Sequence, residues 1–346
     1  MRGVFICAVE QPEPRENKYT LRGMTTLDAF ATSPALLTAS VFILSLLVGS
    51  FLNVVIHRLP IMLDREWRAQ ARETLAEPDD PAGDPNQGSL FQDFSFCEAS
   101  RDRPFANTPY NLVVPRSACP QCGAPVKAHQ NIPILSYLVL GGRCAHCRAR
   151  ISVRYPLIEL ATALLSAAVA WRYGWHWQTL AALLLTWALI ALTVIDYDHQ
   201  ILPDAITLPV LWLGLALSIA WHPALRPALP VDPASAIIGA AGGYIVLWLV
   251  YWAFKLVTGK EGMGYGDFKL LAALGAWMGW QMVPLIILVS ALTGALICVA
   301  LIVLRGRERG RPMPFGPFLA MAGWIAMMWG PQIMGGYLRY SGLANG

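Results

Sequence analysis

The chain has 346 residues, of which 55% are hydrophobic and only 14% are charged, with a formal net charge of +4 at pH 7. Soluble domains carry about 25% charged residues, so the composition excludes an ordinary soluble enzyme and indicates a membrane protein. The positive charge does not indicate nucleic acid as a partner, because no aromatic and basic recognition pattern accompanies it.

Apolar runs of about 20 residues, the length that crosses the hydrocarbon core of a bilayer as a helix, recur along the chain. They cover 34–56, 156–173, 178–195, 205–221, 234–257, 282–304 and 312–331, with a shorter run at 268–280. We therefore predict an all-α polytopic membrane protein with about eight transmembrane helices. Residues 1–33 precede the first helix as a tail, and we interpret 1–23 as an over-extension of the gene, with Met24 as the start.

The distribution of basic residues predicts the orientation of the chain. With eight crossings, most of the 26 Lys and Arg residues lie in loops on one side of the membrane. By the positive-inside rule that side is cytoplasmic.

Residues 57–155 form one long polar loop on the cytoplasmic side. Its first part, 61–77, has the apolar spacing of an amphipathic helix. Residues 78–109 are rich in Pro, Asp, Gly and Asn and are typical of a flexible insertion. Residues 110–155 have a more regular sequence pattern, and we predict that they form a small separate domain. Residues 156–335 form the predicted membrane-embedded domain.

The small domain contains two Cys-x-x-Cys pairs, Cys119-Pro-Gln-Cys122 and Cys144-Ala-His-Cys147, separated by 21 residues. Two such pairs bring four thiolates to one zinc ion in a tetrahedral arrangement. The alternative is two disulfides or redox-active pairs, which the reducing cytoplasm disfavours. Four thiolates leave no open position for water, so the predicted zinc site is structural.

Carboxylates at the ends of apolar runs are the second chemical feature. Asp196 continues one apolar run, Asp198 follows on a different face, and Asp204 precedes the next run as a helix N-cap does. Asp267 lies in the glycine-rich stretch GMGYGD, residues 262–267, at membrane depth. An irregular backbone is tolerated there only where it is buried in protein or lines a wet cavity.

Three functional classes are compatible with these acids. Two carboxylates that share a proton supply a general acid and a general base, so Asp196 and Asp267 predict an aspartyl protease within the membrane. An ion- or proton-coupled transporter uses intramembrane acids as well. In a zinc-stabilised assembly scaffold, the acids would be replaceable.

Six motifs, in this order and spacing, resemble those of the type IV prepilin peptidases, which are bifunctional prepilin leader peptidase/N-methyltransferases of the GxGD aspartyl protease class. The motifs are GSFLNVVIHRLP at 49–60, the two cysteine pairs, RYPLIEL at 154–160, IDYDHQILPD at 195–204, GMGYGDFK at 262–269 and PFGPFL at 314–319. The resemblance covers about residues 24–335.

The resemblance implies that Asp196 and Asp267 are the catalytic pair and that the four cysteines hold zinc. It also implies cleavage of prepilins and of type II secretion pseudopilins after a glycine, at the cytoplasmic face of a bacterial inner membrane. The new N-terminal residue is then methylated with S-adenosylmethionine. No Rossmann-type glycine motif locates the methyl donor, and we expect its site near the zinc domain and residues 49–60.

Further residues are candidates for contacts with the substrate. Glycines beside Asp267 let an extended peptide approach the backbone, and polar side chains near the membrane boundary can orient the substrate or stabilise charge. For Lys260 and Lys269 the alternative is that they only mark the cytoplasmic boundary, and for His57 that it is an interfacial side chain. The candidates are Gly262, Gly264, Gly266, Asn53, His57, Lys260 and Lys269.

Overall fold

A computed structural model describes residues 30–75, 110–220, 229, 231–260, 262–305 and 313–342. The predicted over-extension, 1–23, and the predicted insertion, 78–109, lie outside the described residues. The described residues form helices and no β-strand, apart from two isolated β-bridges.

The helices are named here in chain order. They are α1 (Pro34–Leu75), α2 (Leu135–Val139), α3 (Arg154–Tyr173), α4 (Trp177–His199), α5 (Asp204–Ser218), α6 (Pro233–Thr258), α7 (Tyr265–Met278), α8 (Val283–Arg305) and α9 (Gly316–Tyr340). Short 3-10 helices cover Ala128–Asn131 and Trp280–Met282.

Four helical segments in the described ranges are long and apolar enough to cross a membrane. They are Pro34–Ala71, Trp177–His199, Pro233–Thr258 and Trp280–Leu304. These spans confirm a polytopic α-helical membrane protein. Eight crossings stay a prediction.

The first helix differs from the sequence prediction. The predicted transmembrane helix 34–56 and residues 61–75 of the predicted amphipathic helix form one continuous helix, α1, which passes through Pro60. The polar pair His57-Arg58 suggested a helix end, but polarity alone does not end a helix. The buried Arg58 guanidinium is instead satisfied by two carbonyl oxygens, those of Asn111 at 2.9 Å and Pro115 at 2.6 Å.

Helix α7 lies at the centre of the membrane-embedded part. Every residue from Leu270 to Met278 is buried, and the helix packs against α5, α6 and α9. Its approach to α6 is close, because a Cβ on Gly239 of α6 would overlap the backbone around Gly275 of α7. Small residues permit such contacts between helices in a bilayer. This packing fixes the start of α7, where Asp267 lies.

A second apolar cluster holds the end of α4 against α1 and α3. It contains Leu52 and Ile56 of α1, Ile158 of α3, and Ile190 and Ile195 of α4. Ile195 is fully buried, and its packing fixes the backbone position of the residue that follows it, Asp196.

Candidate active site and metal centre

Asp196 lies in the last turn of α4 and is 5% exposed. The helix ends at Gln200, which has a left-handed backbone with φ of +55° and donates its amide hydrogen to the Asp196 carbonyl at 2.9 Å. The chain therefore turns away immediately after the acid. The Asp196 carboxylate stays at the protein interior, where its Oδ2 atom has no hydrogen-bond partner among the described residues.

Asp267 is the third residue of α7 and is 6% exposed. The N-cap of this helix is Gly264, whose backbone is extended, and the Gly264 carbonyl accepts the Asp267 amide at 3.3 Å. The Oδ1 atom of Asp267 is also buried without a partner in the part of the chain that the structure describes. Buried polar atoms are rarely unpaired, so two of them on two acids indicate a functional site.

The structure brings these two acids together. The two carboxylates are close enough to interact electrostatically. Leu202 links the segments that carry the two acids. It contacts Gly266, which precedes Asp267, and Gly316, which contacts Asp196. The predicted pair Asp196 and Asp267 therefore forms one site where the end of α4 meets the starts of α7 and α9.

Gly316 is a residue of the site that the sequence argument did not single out. It is the first residue of α9, and a Cβ added to it would lie 2.5 Å from Oδ2 of Asp196. Only a residue without a side chain fits here without displacing the carboxylate. The sequence feature that could have indicated it is the central glycine of the motif PFGPFL at 314–319.

The other two acids of the 195–204 motif are paired with basic side chains. Asp198 accepts hydrogen bonds from both terminal nitrogens of Arg154, one of them at 3.0 Å. Asp204 accepts Lys269 Nζ on both carboxylate oxygens at 2.7 Å. The predicted N-cap role of Asp204 is wrong, because Pro203 is the N-cap of α5 and Asp204 is the first helical residue. Its side chain joins α5 to α7 instead.

Lys269 and Asn53, two of the candidates for substrate contacts, make structural bonds here. Lys269 pairs with Asp204, and Asn53, which is 8% exposed, donates its side-chain amide to the Tyr155 carbonyl at 3.2 Å. His57 is exposed on α1, and Lys260 is exposed just after α6. The bonds of Lys269 and Asn53 do not join these two side chains to Asp196 or Asp267.

The glycines before Asp267 have different surroundings. A Cβ on Gly262 would meet the Phe254 ring at 2.7 Å, and one on Gly266 would meet Leu202 Cβ at the same distance. A Cβ on Gly264 would have no atom within 4 Å. The glycine-rich stretch 262–267 is not irregular throughout, because α7 already begins at Tyr265. The N-cap residue Gly264 has an extended backbone and leaves open space beside it, three residues before Asp267.

The four cysteines converge on one point. The Sγ atoms of Cys119, Cys122, Cys144 and Cys147 all lie within 4.8 Å of one another, and those of Cys119 and Cys147 are 3.7 Å apart. Tetrahedral zinc with bonds of 2.3 Å to sulfur requires sulfur atoms about 3.8 Å apart. The donor set and its spacing therefore fit a zinc ion. His146, in the second pair, is exposed and does not belong to the cluster.

Two matching turns present these sulfur atoms. The Cys119 amide bonds the Ala124 carbonyl at 2.9 Å, and the Cys144 amide bonds the Ala149 carbonyl at 2.8 Å. Four residues after the first cysteine of each turn, the backbone is left-handed, with φ of +69° at Gly123 and +60° at Arg148. The two halves of the cluster thus have the same local backbone.

The thiols differ in acidity. Hydrogen bonds from the backbone amides of Cys122 and Gln121 lower the pKa of Cys119 to about 6. The pKa of Cys147 is raised to about 11, because desolvation and the three neighbouring thiols outweigh the Ala149 amide, which favours the thiolate. A divalent cation binds cysteines as thiolates, so zinc binding would release the proton from Cys147.

Two buried charged side chains of the membrane helices, Arg58 and Glu159, bond the backbone of the cysteine-bearing segment, residues 110–155. Arg58 of α1 holds its beginning through the Asn111 and Pro115 carbonyls. Glu159 of α3, which is buried, accepts the Ile134 amide at 2.8 Å. Sequence analysis missed both side chains, although they lie in the motifs at 49–60 and 154–160.

Comparisons with known proteins agree with this architecture. The model of the bacterial peptidase A24 N-terminal domain matches residues 43–173, which contain the cysteine cluster, and that of the type IV leader peptidase family matches 183–299, which contain Asp196 and Asp267. A protein of Pseudomonas aeruginosa named prepilin leader peptidase/N-methyltransferase is 53% identical over 92% of this chain and 99% of its own length. The chain belongs to the type IV leader peptidase family.

Other members of the type IV leader peptidase family with the same name are similar over most of their length. The protein of Aeromonas hydrophila is 53% identical over 88% of this chain and 95% of its own length. The protein of Neisseria gonorrhoeae is 48% identical over 82% of this chain and 87% of its own. No solved structure matches the chain. Gly316 lies beyond the matched range of the family model.

Proposed function

We propose that this protein removes the leader peptide of type IV prepilins, with Asp196 and Asp267 as the catalytic pair, and then methylates the new N-terminus. The observation that carries the peptidase proposal is that two buried carboxylates, each with an unpartnered oxygen, meet at the ends of two helices. Membership of the type IV leader peptidase family and the names of the relatives support both activities. Those names give no support to the transporter alternative.

The chemistry requires no covalent intermediate. One carboxylate takes a proton from a water molecule while the water oxygen forms a bond to the scissile carbonyl carbon. The other carboxylate, in its protonated form, donates its proton to the carbonyl oxygen. When the tetrahedral intermediate collapses, the carboxylate that took the proton of the water donates it to the leaving nitrogen and the carbon–nitrogen bond breaks. One hydroxyl of the intermediate returns its proton to the other carboxylate as the new carbonyl forms, so that the pair is ready for another cycle.

The backbone before Asp267 suits a peptide substrate in an extended conformation. Gly264 has φ of −82° and ψ of 151°, and there is open space where its side chain would be. Substrate backbone in the open space beside Gly264 brings a peptide carbonyl towards the acids. We infer that the bond cut follows a glycine, in agreement with the sequence resemblance, and that both pilins and type II secretion pseudopilins are substrates.

The cysteine cluster and the methylation are separate from the pair of acids. Cys119, Cys122, Cys144 and Cys147 would hold a zinc ion, which supplies four bonds that close the two turns and leaves no position for catalysis. The methyl group of S-adenosylmethionine passes to the new α-amine, which loses a proton, and S-adenosylhomocysteine leaves. We infer that the methyl donor binds near this cluster and residues 49–60, because Arg58 joins the two regions.

We place both sites at the cytoplasmic face of the bacterial inner membrane. The starts of α3, α5 and α7 and the end of α4 lie at one end of the helices, since Arg154 bonds Asp198 and Lys269 bonds Asp204. The basic residues of the loops at this end support a cytoplasmic orientation.

The test uses the full-length protein in proteoliposomes with one prepilin and labelled S-adenosylmethionine. Asp196→Asn and Asp267→Asn each remove a proton-exchanging group, so cleavage falls by several orders of magnitude, and the double variant is hardly worse than either single one. Asp204→Asn and Asp198→Asn are matched controls. We expect the first to retain most of the activity, because exposed ion pairs contribute little, and the second to retain part of it.

The same variants separate the two activities. Methylation of a prepilin that has already been cleaved continues in both Asn variants of the pair, because it uses other groups. Full cleavage by Asp267→Asn ends the protease proposal. Full cleavage by Asp196→Asn together with none by Asp198→Asn moves the catalytic acid by two residues.

A further inference from the structure

The side chain of Leu202 separates the segments that carry the two acids. Leu202 lies in the short connection between α4 and α5. A Cβ on Gly266 would lie 2.7 Å from Leu202 Cβ, and a Cβ on Gly316 would lie 3.3 Å from Leu202 Cδ1. Gly266 precedes Asp267 in the chain, and Gly316 contacts the Asp196 carboxylate. Leu202 therefore borders the space between the two acids on both sides.

The backbone on either side holds Leu202 in place. Before it, Gln200 has φ of +55°, and its amide is bonded to the Asp196 carbonyl. After it, Pro203 is buried and has the fixed φ of its ring, −61°. The two residues between Gln200 and Pro203 have different neighbours: Ile201 packs against the apolar cluster of α1, α3 and α4, whereas Leu202 packs against the larger core that contains α7.

We propose that the side chain of Leu202 limits the size of the residue on the amino-terminal side of the bond that is cut. This inference rests on the proposed function of Asp196 and Asp267. The scissile carbonyl must come within hydrogen-bond distance of both acids. The Cα atom of the residue that supplies this carbonyl is only one bond away from the carbonyl carbon, so a side chain on it lies close to the two acids, in the region that Leu202 borders.

The glycines of the protein make this space narrow. Gly266 and Gly316 have no side chains, so Leu202 and the helix starts approach closely around the acids. A substrate residue with a Cβ displaces Leu202 or loses its position against the acids. Glycine avoids both, and the apolar wall thus selects for the absence of a side chain. A hydrophobic contact that changes by one methyl or methylene group alters a specificity ratio by about 10- to 200-fold.

The experiment measures a specificity ratio in the full-length protein in proteoliposomes. Two prepilins, which differ only in glycine or alanine before the cleavage site, compete in one reaction, and mass spectrometry of the products gives the ratio of their kcat/KM values. We expect the wild-type protein to favour glycine by about 100-fold and Leu202→Ala to reduce this preference about tenfold. Leu202→Val gives a smaller change in the same direction.

Ile201→Ala is the matched control, since it shortens the adjacent side chain, which packs on a different cluster. The control keeps the wild-type ratio. An unchanged ratio in Leu202→Ala overturns the inference, and so does an equal relaxation in Ile201→Ala, which would indicate general loosening. If Leu202→Ala does not fold, as judged by its thermal unfolding, the ratio in Leu202→Val decides in the same way.

The failure of this inference differs from that of the proposed function. A wild-type protein that cleaves neither prepilin overturns the proposed function and this inference together. Cleavage of the glycine substrate that depends on Asp196 and Asp267, with a ratio insensitive to Leu202, overturns this inference alone.

Discussion

Gly316→Ala tests the geometry of the active site without altering any ionisable group. The added Cβ would lie 2.5 Å from Oδ2 and 3.1 Å from Cγ of Asp196, whereas a carbon and an oxygen in contact are about 3.3 Å apart. The carboxylate must therefore move by about 0.8 Å. A misplacement of about 1 Å at a reacting group costs about 100-fold in rate, or about 2.7 kcal/mol of transition-state stabilisation.

Initial rates of prepilin cleavage in proteoliposomes give kcat and KM for the variant and the wild-type protein. We expect kcat to fall about 100-fold with little change in KM, because the substitution displaces the carboxylate that we propose to be catalytic and leaves the binding surface unchanged. The control is Gly335→Ala in the same helix, where an added Cβ has no atom within 4 Å. If Gly316→Ala cleaves as fast as Gly335→Ala, the contact between α9 and Asp196 is not the one described here.

Three further predictions concern other parts of the molecule. Cys119→Ser lowers the zinc content measured by elemental analysis and speeds amide exchange across 110–155, because metal binding stabilises the folded segment; unchanged zinc would contradict this. Arg148→Gly slows the loss of zinc to a chelator, because glycine adopts the left-handed backbone of this position without the cost of about 1 kcal/mol that a side chain brings. Gly123→Ala introduces that cost in the other turn and therefore speeds the loss of zinc. Asp232→Ala weakens the start of α6, where its carboxylate accepts the Ser235 amide at 2.9 Å, by about 1 kcal/mol, read as faster amide exchange there. This hydrogen bond holds the pKa of Asp232 below its ordinary value. The stability that the bond contributes is therefore complete above the unfolded pKa, about 3.9, and is lost as the pH falls through the lower pKa of the folded protein. Equal amide exchange in the variant and the wild-type protein at neutral pH would refute the cap.

The cysteine cluster could be predicted because its determinants are local in sequence. Each Cys-x-x-Cys pair closes its own turn through backbone hydrogen bonds such as that between Cys119 and Ala124. The spacing alone then specifies two turns, and only their mutual approach depends on the rest of the fold. The acids were predictable in a similar way, since Asp196 and Asp267 interrupt apolar runs where a charge is costly.

Contacts between distant parts of the chain could not be predicted in this way. Nothing in the 314–319 motif indicates that Gly316 contacts an acid 120 residues earlier, because the contact depends on how α9 packs on α4. The continuity of α1 was missed because hydropathy reports the surroundings of a helix and not its backbone hydrogen bonds. The cap predicted at Asp204 failed because the preceding Pro203 takes the N-cap position and Lys269 takes the carboxylate.

The division of labour among the acids of this site follows from their partners rather than from their type. Arg154 bonds both oxygens of Asp198 and Lys269 bonds both oxygens of Asp204, so each of these carboxylates belongs to an ion pair between two helices. Asp196 keeps its Oδ2 atom unpartnered within the described chain, where the glycine at the start of α9 leaves room beside it. A carboxylate that exchanges protons with a substrate needs an oxygen without a partner in the protein. A carboxylate that joins two helices needs its oxygens bonded to a side chain of the other helix. The same short motif supplies both kinds, because one helix ends and the next begins within it.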